Sequence, residues 1–167
     1  MEWYVAYVRS CQEKTVSKRL SELAVEHYIP IRKEWRQWSD RKVLKDRLLL
    51  PRVVFIRCTR TERLGLFKEI PYLCYFMMDR LSNQPVVVPQ SQMDAFRRVV
   101  EGSASPVEIR TSEGFAKGDI VRITKGPLKD MECEVVDISN RRYICVRLGL
   151  LGVAVTEISA SQVERIN

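Results

Sequence analysis

The sequence predicts an α+β fold: an antiparallel sheet with helices on one side, followed by a small β-barrel. Up to about residue 101, segments with the apolar period of a strand alternate with segments of helical period. Residues 102–106, Gly-Ser-Ala-Ser-Pro, form a run of small residues and proline. The remainder of the chain contains strand-like segments separated by turn residues. A length of 167 residues with 46% hydrophobic residues is sufficient for two small domains with their own cores.

The first element is a strand over residues 3–8, whose aromatic and β-branched side chains are typical of a buried strand. A helix follows, and Ser10 with Glu13 three positions later has the pattern of a capping box at its start. Val16 and Leu20 lie at helical spacing and predict the buried side of this helix.

A second strand over residues 28–31 leads into a basic segment. Pro30 predicts that this strand is at a sheet edge or ends there, because proline donates no backbone hydrogen bond. The following segment, 32–47, contains Trp35 and Trp38 among basic residues, and Ser39-Asp40 offers a turn, so it predicts a protruding β-hairpin. The basic residues are Arg32, Lys33, Arg36, Arg41, Lys42, Lys45 and Arg47.

Two interpretations of this hairpin stay open. Guanidinium groups beside indole rings suit the binding of phosphates and the stacking of bases, which predicts a nucleic-acid contact. Alternatively, one tryptophan covers the sheet and the charges are simply solvated. For the first interpretation the residues of interest are Arg36, Arg41 and Lys42.

The chain then returns to an apolar strand over residues 48–56. Thr59 or Thr61 is expected to cap a short helix that ends before Pro71. Strands are predicted around 73–78 and 85–88, and a further helix follows them. The apolar face of that helix consists of Met93, Phe96, Val99 and Val100.

The run of small residues marks the predicted domain boundary. We place a first domain at residues 1–101, a linker at 102–112 and a second domain at 113–167. In the second domain Val121 and Ile123 alternate with polar residues, and Gly126-Pro127 then supplies a turn. Strands around 133–138, 142–147 and 153–158 complete the pattern of a small SH3-like barrel.

The charge of the chain is unevenly distributed. The net charge is +7, and the residues from Glu113 onward contribute eight basic and eight acidic side chains, so the excess lies before residue 113. Such asymmetry indicates a polyanionic partner, of which nucleic acid is the most common. An ordinary solvated basic surface is the alternative.

Several kinds of function are disfavoured by the sequence. The five cysteines are scattered without a C-x-x-C pair and His27 has no neighbouring cysteine, so we expect small buried cysteines and no metal or cofactor. Gly126-Pro127 lacks the Gly-Lys-Ser/Thr of a phosphate-binding loop, and neither a nucleophile motif nor paired carboxylates are present, which argues against an enzyme. Without a long apolar run or a signal sequence, a cytoplasmic protein is expected.

Two segments carry a resemblance to a known family. Residues 118–130, GDIVRITKGPLKD, with Ser161-Gln162-Val163-Glu164 later in the chain, resemble the KOW domain that ends the NusG-type transcription elongation factors. In the first half, Trp3-Tyr4 with Arg9, the run 50–56 (LPRVVFI) and the run 85–89 (PVVVP) are similar to the N-terminal domain of the same family. The resemblance covers nearly the whole chain and implies a NusG-like antiparallel sheet with helices, followed by a KOW barrel.

The chain departs from the family pattern at several positions. Arg52 and Val53 stand where the family has Gly-Tyr, Cys133 replaces the second KOW glycine, and Leu150-Leu151 replaces a Phe-Gly pair. With the basic hairpin, these departures resemble a specialised paralogue of the RfaH type, including the group that antiterminates long polysaccharide operons. The alternatives are a general NusG factor or a KOW-containing RNA- or ribosome-binding module.

The resemblance also implies partners. A monomer would bind the clamp region of RNA polymerase and contact non-template DNA or nascent RNA, with no membrane involved. The implied polymerase-binding residues are Tyr7, Leu50, Val53 and Phe55, with Thr59 and Thr61 at a helix start. Positions near the DNA strand are Arg9, Arg19 and Arg80. Leu150 and Leu151 would dock a ribosomal or regulatory protein.

Overall fold

The computed structural model describes residues 1–113 and 118–166. It divides into two compact units, residues 1–90 and 91–167. The division therefore lies before the helix that the sequence places at the end of the first domain. The predicted extents 1–101, 102–112 and 113–167 stay a prediction, and residues 114–117 and 167 of the last lie outside the described residues.

The first unit is built from short strands and two helices in its described part. Its elements are β1 (Glu2–Val8), α1 (Glu13–Glu22), β2 (Glu26–Tyr28), β3 (Ile31–Gln37), β4 (Lys42–Leu48), β5 (Val53–Cys58), α2 (Arg60–Glu69), β6 (Leu73–Phe76), β7 (Met78–Asp79), β8 (Gln84–Pro85) and β9 (Val87–Val88). The strand order of its main sheet is β2-β5-β1-β6, and β9 also pairs with β1. All pairs are antiparallel, as predicted.

One face of this sheet packs against both helices. Side chains alternate across a strand, so every second residue of β1 and β5 points to the same face. The core on this face joins strand residues to Val16 and Leu20 of α1 and to Leu66 of α2. The strand residues are Tyr4, Ala6, Val8, Val54, Ile56 and Cys58. The helices α1 and α2 therefore lie on one side of the main sheet, as predicted.

The start of α1 differs from the predicted capping box. The N-cap is Gln12, without a side-chain cap, because Cys11 has a φ of 61° and separates Ser10 from the helix. The buried Glu13 carboxylate instead accepts a hydrogen bond from the backbone N–H of Arg52 at 2.8 Å. Glu13 thus makes a tertiary contact across 39 positions of sequence in place of the local bond to Ser10 that a capping box requires.

Two hairpins extend the first unit. β3 and β4 pair from Ile31–Leu48 to Gln37–Lys42, which confirms the predicted basic hairpin and its turn at Ser39-Asp40. Pro30 lies between β2 and β3, at a strand end as predicted. β7 and β8 form a second, short hairpin, which lies between β6 and β9 in the sequence and does not pair with the main sheet.

The second unit contains the last helix and a six-stranded antiparallel sheet of the described residues. Its elements are α3 (Gln90–Gly102, beginning at the last residue of the first unit), β10 (Val107–Arg110), β11 (Asp119–Ile123), β12 (Glu132–Ile138), β13 (Arg141–Arg147), β14 (Val153–Glu157) and β15 (Val163–Arg165), with 3-10 turns at Gly149–Leu151 and Ala160–Gln162. The predicted apolar face of α3 is buried. The helix contacts the sheet region of its own unit, since Arg98 Nη2 donates to the carbonyl of Lys129 at 3.0 Å.

The predicted closed barrel is not confirmed. The strand order is β10-β14-β13-β12-β11-β15, with β10 and β15 at the two ends of the hydrogen-bonded sheet that the described residues form. β10 lies inside the predicted linker and pairs with β14, so residues 107–110 are part of the sheet. The predicted turn is present: Gly126 has a φ of 86°, and its carbonyl accepts from the N–H of Lys129 at 3.1 Å.

The cysteines are only partly as expected. Cys58, Cys133 and Cys145 are buried, and burial raises the pKa of the Cys133 thiol to about 12. Cys11 and Cys74 are exposed, which corrects the expectation that all five are buried. None of the helices among residues 1–113 and 118–166 has the length and apolar character to cross a bilayer.

Candidate functional site

The face of the main sheet opposite α1 and α2 carries the side chains that the resemblance implicates. Tyr7 pairs with Val53 and Val5 pairs with Phe55 across β1 and β5. Directly paired residues of antiparallel strands point to the same face. The structure thus brings Tyr7, Val53 and Phe55 together, as the sequence-based prediction requires.

An aromatic pair occupies the exposed end of this face. Tyr7 pairs with Tyr75 of β6, and their rings stack with centroids 4.9 Å apart and an interplanar angle of 19°. Tyr7 is half-buried, and Tyr75 is 51% exposed. Burial, with a further contribution from Tyr75, raises the pKa of Tyr7. Tyr75 was missed in the sequence because the pairing of β6 with β1 is not visible there.

The predicted members of this face differ in accessibility. Phe55 is fully buried and Val53 is nearly so, while Leu50 is half-buried in the turn before β5. Phe55 lies in the centre of the sheet, between Val5 on one side and Tyr28 on the other. A partner therefore meets Tyr7 and Tyr75, whereas Phe55 and Val53 support them from within.

Arg52 adopts a backbone conformation that favours glycine. Its φ is 65°, in the left-handed region, and it stands where the NusG-type run has a glycine. Its N–H is bound by Glu13, its carbonyl accepts from the N–H of Val8 at 2.9 Å, and its Nε donates to the carbonyl of Val8 at 3.2 Å. These contacts hold Arg52 in its left-handed conformation in the turn before β5.

The two threonines at the start of α2 have different positions. Thr59 is the N-cap, and its Oγ1 accepts from the N–H of Glu62 at 3.2 Å while Glu62 accepts from the N–H of Thr59 at 2.7 Å. This capping box confirms the prediction for Thr59 and lowers the pKa of Glu62. Thr61 is exposed within the first turn. Thr59 therefore has a structural role, and Thr61 offers the accessible hydroxyl.

The three arginines expected near DNA lie at different places. Arg19 is held by carboxylates of Glu22 at 3.0 Å and Glu69 at 3.4 Å, so its charge is already compensated. Arg9 is exposed directly after β1. Arg80 is exposed in the β7–β8 turn, where Asp79 accepts from the N–H of Leu81 at 3.0 Å. Arg9 and Arg80 are thus the better-placed cations.

The basic hairpin is solvent-exposed along most of its length. Trp35 is 69% exposed and Trp38 is 52% exposed, so neither tryptophan covers the sheet as the alternative interpretation required. Lys45 Nζ lies 4.4 Å from the centroid of the Trp38 ring. Arg36, Arg41 and Lys42 are all exposed.

Leu150 and Leu151 lie in a 3-10 turn between β13 and β14. Leu150 is exposed and Leu151 is half-buried. Gly149 and Gly152 have φ values of 59° and 118°, so the flanking glycines take the left-handed conformations and neither leucine does. A Cβ at Gly152 would collide with the carbonyl of Arg110, so glycine is required there.

His27 is a structural residue in this arrangement. Its Nδ1 donates to the carbonyl of Val25 at 2.9 Å, which leaves Nε2 to accept from the hydroxyl of Ser17 at 2.7 Å. Within the described part of the chain, no group of three or more His, Cys, Asp or Glu residues is placed to hold a metal ion.

The chain is similar to proteins of one family. The family model NusG, described as "Transcription termination factor nusG", matches residues 1–97. The solved structure "Domain interaction in Thermotoga maritima NusG" aligns with a TM-score of 0.51 and 23% identity over 99% of this chain and 97% of that chain. The MjSpt4:Spt5 complex in conformation A aligns with a TM-score of 0.33 and 15% identity over 98% of this chain and 97% of that chain.

No curated protein sequence matches the chain. The family match covers more than half of the 167 residues and includes the whole sheet whose face carries Tyr7 and Tyr75. The alignment with the Thermotoga maritima protein extends over both units and agrees with the fold. The chain therefore belongs to the NusG family of transcription factors.

Proposed function

We propose that this protein is a transcription elongation factor that binds RNA polymerase through the sheet face that presents Tyr7 and Tyr75. The observation that carries the proposal is the stacked, accessible aromatic pair above a fully buried layer. Aromatic side chains held rigidly on a sheet provide large contact area at little entropic cost, and such residues dominate interface energies. The resemblance indicates the clamp region of the polymerase as the partner of this face.

The mechanism is a shift between two polymerase conformations. A factor that binds the closed clamp more tightly than the open clamp stabilises the closed state by the difference in binding free energy. Tyr7, Tyr75 and half-buried Leu50 would contact one side of the cleft, and Thr61 at the start of α2 would contact the other. A closed clamp disfavours pausing, which makes the factor a promoter of elongation.

Removal of the aromatic pair tests polymerase binding. We expect the double variant Tyr7→Ala/Tyr75→Ala to bind core RNA polymerase at least about 30-fold more weakly, since loss of even one aromatic anchor of an interface costs about 2 kcal/mol. The measurement is the affinity for purified core polymerase in a titration. The control is Ile120→Ala, an apolar residue of the second unit whose exposure is close to that of Tyr75. Equal affinity of the double variant and the control would contradict the proposed face, and binding to ribosomal subunits alone would favour the RNA-binding alternative.

Nucleic acid is the second proposed partner. Arg9 follows β1 and Arg80 lies in the β7–β8 turn, and both are exposed. The hairpin adds the exposed cations Arg36 and Arg41. Cations at these positions would contact the phosphates of the exposed non-template DNA strand or of the nascent RNA. We do not include Arg19, because Glu22 and Glu69 already bind its guanidinium group.

The finer proposal is a selective antiterminator of the RfaH type whose second domain is a KOW domain. The supporting feature is the β13–β14 turn, where exposed Leu150 and half-buried Leu151 stand in place of the Phe-Gly pair. Exchange of an aromatic residue for leucine removes a rigid anchor from a docking surface. The turn would therefore bind a different ribosomal or regulatory protein, or bind the same one weakly.

A reconstituted termination assay tests this selectivity. We expect the purified protein to leave Rho-dependent termination unchanged and to increase read-through on a template that carries its own leader sequence. The control is the variant Leu150→Phe/Leu151→Gly, which restores the residue types of the family pattern. Stimulation of Rho-dependent termination by the unmodified protein would assign it to the general NusG factors.

A further inference from the structure

The β3–β4 hairpin has two chemically different faces. Directly paired residues of an antiparallel ladder point to the same side, so the register assigns each pair to a face. One face, here called the basic face, contains the pairs Arg32–Arg47, Glu34–Lys45 and Arg36–Val43. The other, here called the apolar face, contains the pairs Ile31–Leu48, Lys33–Asp46, Trp35–Leu44 and Gln37–Lys42.

Trp38 extends the basic face at the tip of the hairpin. Its ring lies under the ammonium group of Lys45, at 4.4 Å from the centroid, and Lys45 belongs to that face. The N–H of Trp38 donates to the carbonyl of Arg41 at 2.8 Å, which closes the turn and holds both residues at its end. The tip therefore holds an exposed indole ring against the ammonium group of Lys45, with Arg41 next to it along the backbone.

The acidic residues of the strands are already bound by cations. Glu34, which is the carboxylate of the basic face, accepts from Arg47 at 2.9 Å. Asp46, on the apolar face, binds Lys14 of α1 at 2.7 Å, and this ion pair lowers the pKa of Asp46. The third acid of the hairpin, Asp40, lies in the turn. The strand residues of the basic face include four cations and one carboxylate, and those of the apolar face include two cations and one carboxylate, so the excess of positive charge is larger on the basic face.

We propose that the basic face binds a single-stranded polynucleotide, with phosphates on Arg36, Arg41 and Lys45 and one base stacked on Trp38. In a duplex the base faces are covered by their neighbours, so an exposed indole beside cations suits an unpaired strand. The base stacks on the ring face opposite Lys45, which covers the other face. Lys42 and Trp35 lie on the apolar face and are outside this site. The inference rests on the nucleic-acid contact proposed above for the hairpin and specifies its face and its ligand, and it does not depend on polymerase binding.

The two tryptophans provide a matched pair of variants. Titration of the full chain against a fluorescently labelled single strand should show that Trp38→Ala binds on the order of tenfold more weakly, the cost of losing one base stack. Trp35→Ala, which removes the same side chain from the opposite face, should bind as the unmodified protein does. An equal loss in both variants, or no loss at Trp38, would overturn the assignment of the stacking site.

The charges permit a second matched comparison. Arg36→Gln/Lys45→Gln and Lys33→Gln/Lys42→Gln each remove two cations from the hairpin, from the basic face and the apolar face respectively. Each phosphate contact contributes roughly 0.7 to the slope of log affinity against log salt for a single strand. The basic-face variant should reduce the slope by about 1.4, and the apolar-face variant should leave it unchanged. Equal reductions would show that only net charge matters and would contradict a built site.

The form of the nucleic acid completes the test. DNA and RNA single strands of the same sequence should bind equally, because the proposed contacts are to phosphates and a base face and not to the sugar. Tighter binding of a duplex would overturn the proposal in favour of groove binding. Circular dichroism of each variant verifies the fold. Polymerase binding is tested separately, with the Tyr7 and Tyr75 variants. Failure of the strand-binding test would therefore leave the proposed polymerase contact intact, and the reverse is also true.

Discussion

Replacement of Phe55 by glutamate is expected to unfold the first unit. Phe55 is fully buried on β5, where it is paired with Val5 of β1 and Tyr28 of β2. The centroid of its ring lies 6.4 Å from that of the Tyr28 ring. Loss of a buried phenylalanine costs about 3–5 kcal/mol, and burial of an unpaired carboxylate adds several more. Domains of this size have a total stability of about 5–15 kcal/mol, so little or none remains. Far-UV circular dichroism and a thermal melt measure the loss.

Tyr75→Glu is the matched control for this variant. It places the same carboxylate on the same sheet, at a position that is half exposed, where water solvates the charge. We expect a folded protein that nevertheless fails to bind polymerase, because the charge then lies on the proposed docking surface. A folded Phe55→Glu protein with an unchanged melting temperature would contradict the packing described for this face.

Removal of the Glu134 carboxylate is expected to destabilise the second unit by about 2–4 kcal/mol. Glu134 accepts from Arg147 at 2.9 and 2.6 Å and from the N–H of Gly118 at 2.6 Å, and its side chain is only 11% exposed. It thereby ties β12 to β13 and to the residue before β11. Glu134→Ala leaves a partly buried guanidinium group and a backbone N–H without this acceptor. Denaturant unfolding of the full chain measures the free energy of unfolding of the second unit.

A neighbouring ion pair supplies the control. Glu132 lies on the same strand and binds Arg122 at 2.8 Å, but its side chain is 56% exposed. Exposed pairs of this kind contribute about 0–1 kcal/mol, so Glu132→Ala should be nearly neutral. If the two alanine variants have the same stability, the hydrogen bonds to Glu134 do not hold the strands together.

The residue that donates to Glu134 must also be a glycine. A Cβ at position 118 would collide with the backbone carbonyl of Val135.

Local patterns predicted much of the secondary structure. The cap at Thr59, the hairpin turn at Ser39-Asp40 and the buried face of α3 depend on residues within a few positions of one another. Interactions at that range are visible in the sequence because helix and strand periods fix which side chains are neighbours. The family could also be predicted, since its motifs are continuous runs such as residues 50–56.

Contacts between distant residues altered the prediction at several positions. Ser10 does not cap α1, because Cys11 with its positive φ separates it from the helix. Glu13 binds the N–H of Arg52 instead. The linker predicted at 102–112 contains β10, because pairing with β14 offers hydrogen bonds that composition does not reveal. Arg19 is bound to Glu69, which lies 50 positions later, and is therefore a poor candidate for a DNA contact.

The sequence alone determined the family, the order of most helices and strands, and which residues share a face of a predicted strand, because these follow from local periodicity and short motifs. It did not reveal β10 or the β7–β8 hairpin. The folded structure determined which of those residues are accessible. Phe55 and Tyr75 both belong to the same sheet face, yet one is covered and the other is exposed. In the hairpin both tryptophans are exposed, and the pairing of the two strands with the packing of Lys45 on Trp38 places them on different faces. Accessibility depends on pairing and packing between segments far apart in the chain, and a single sequence does not display them.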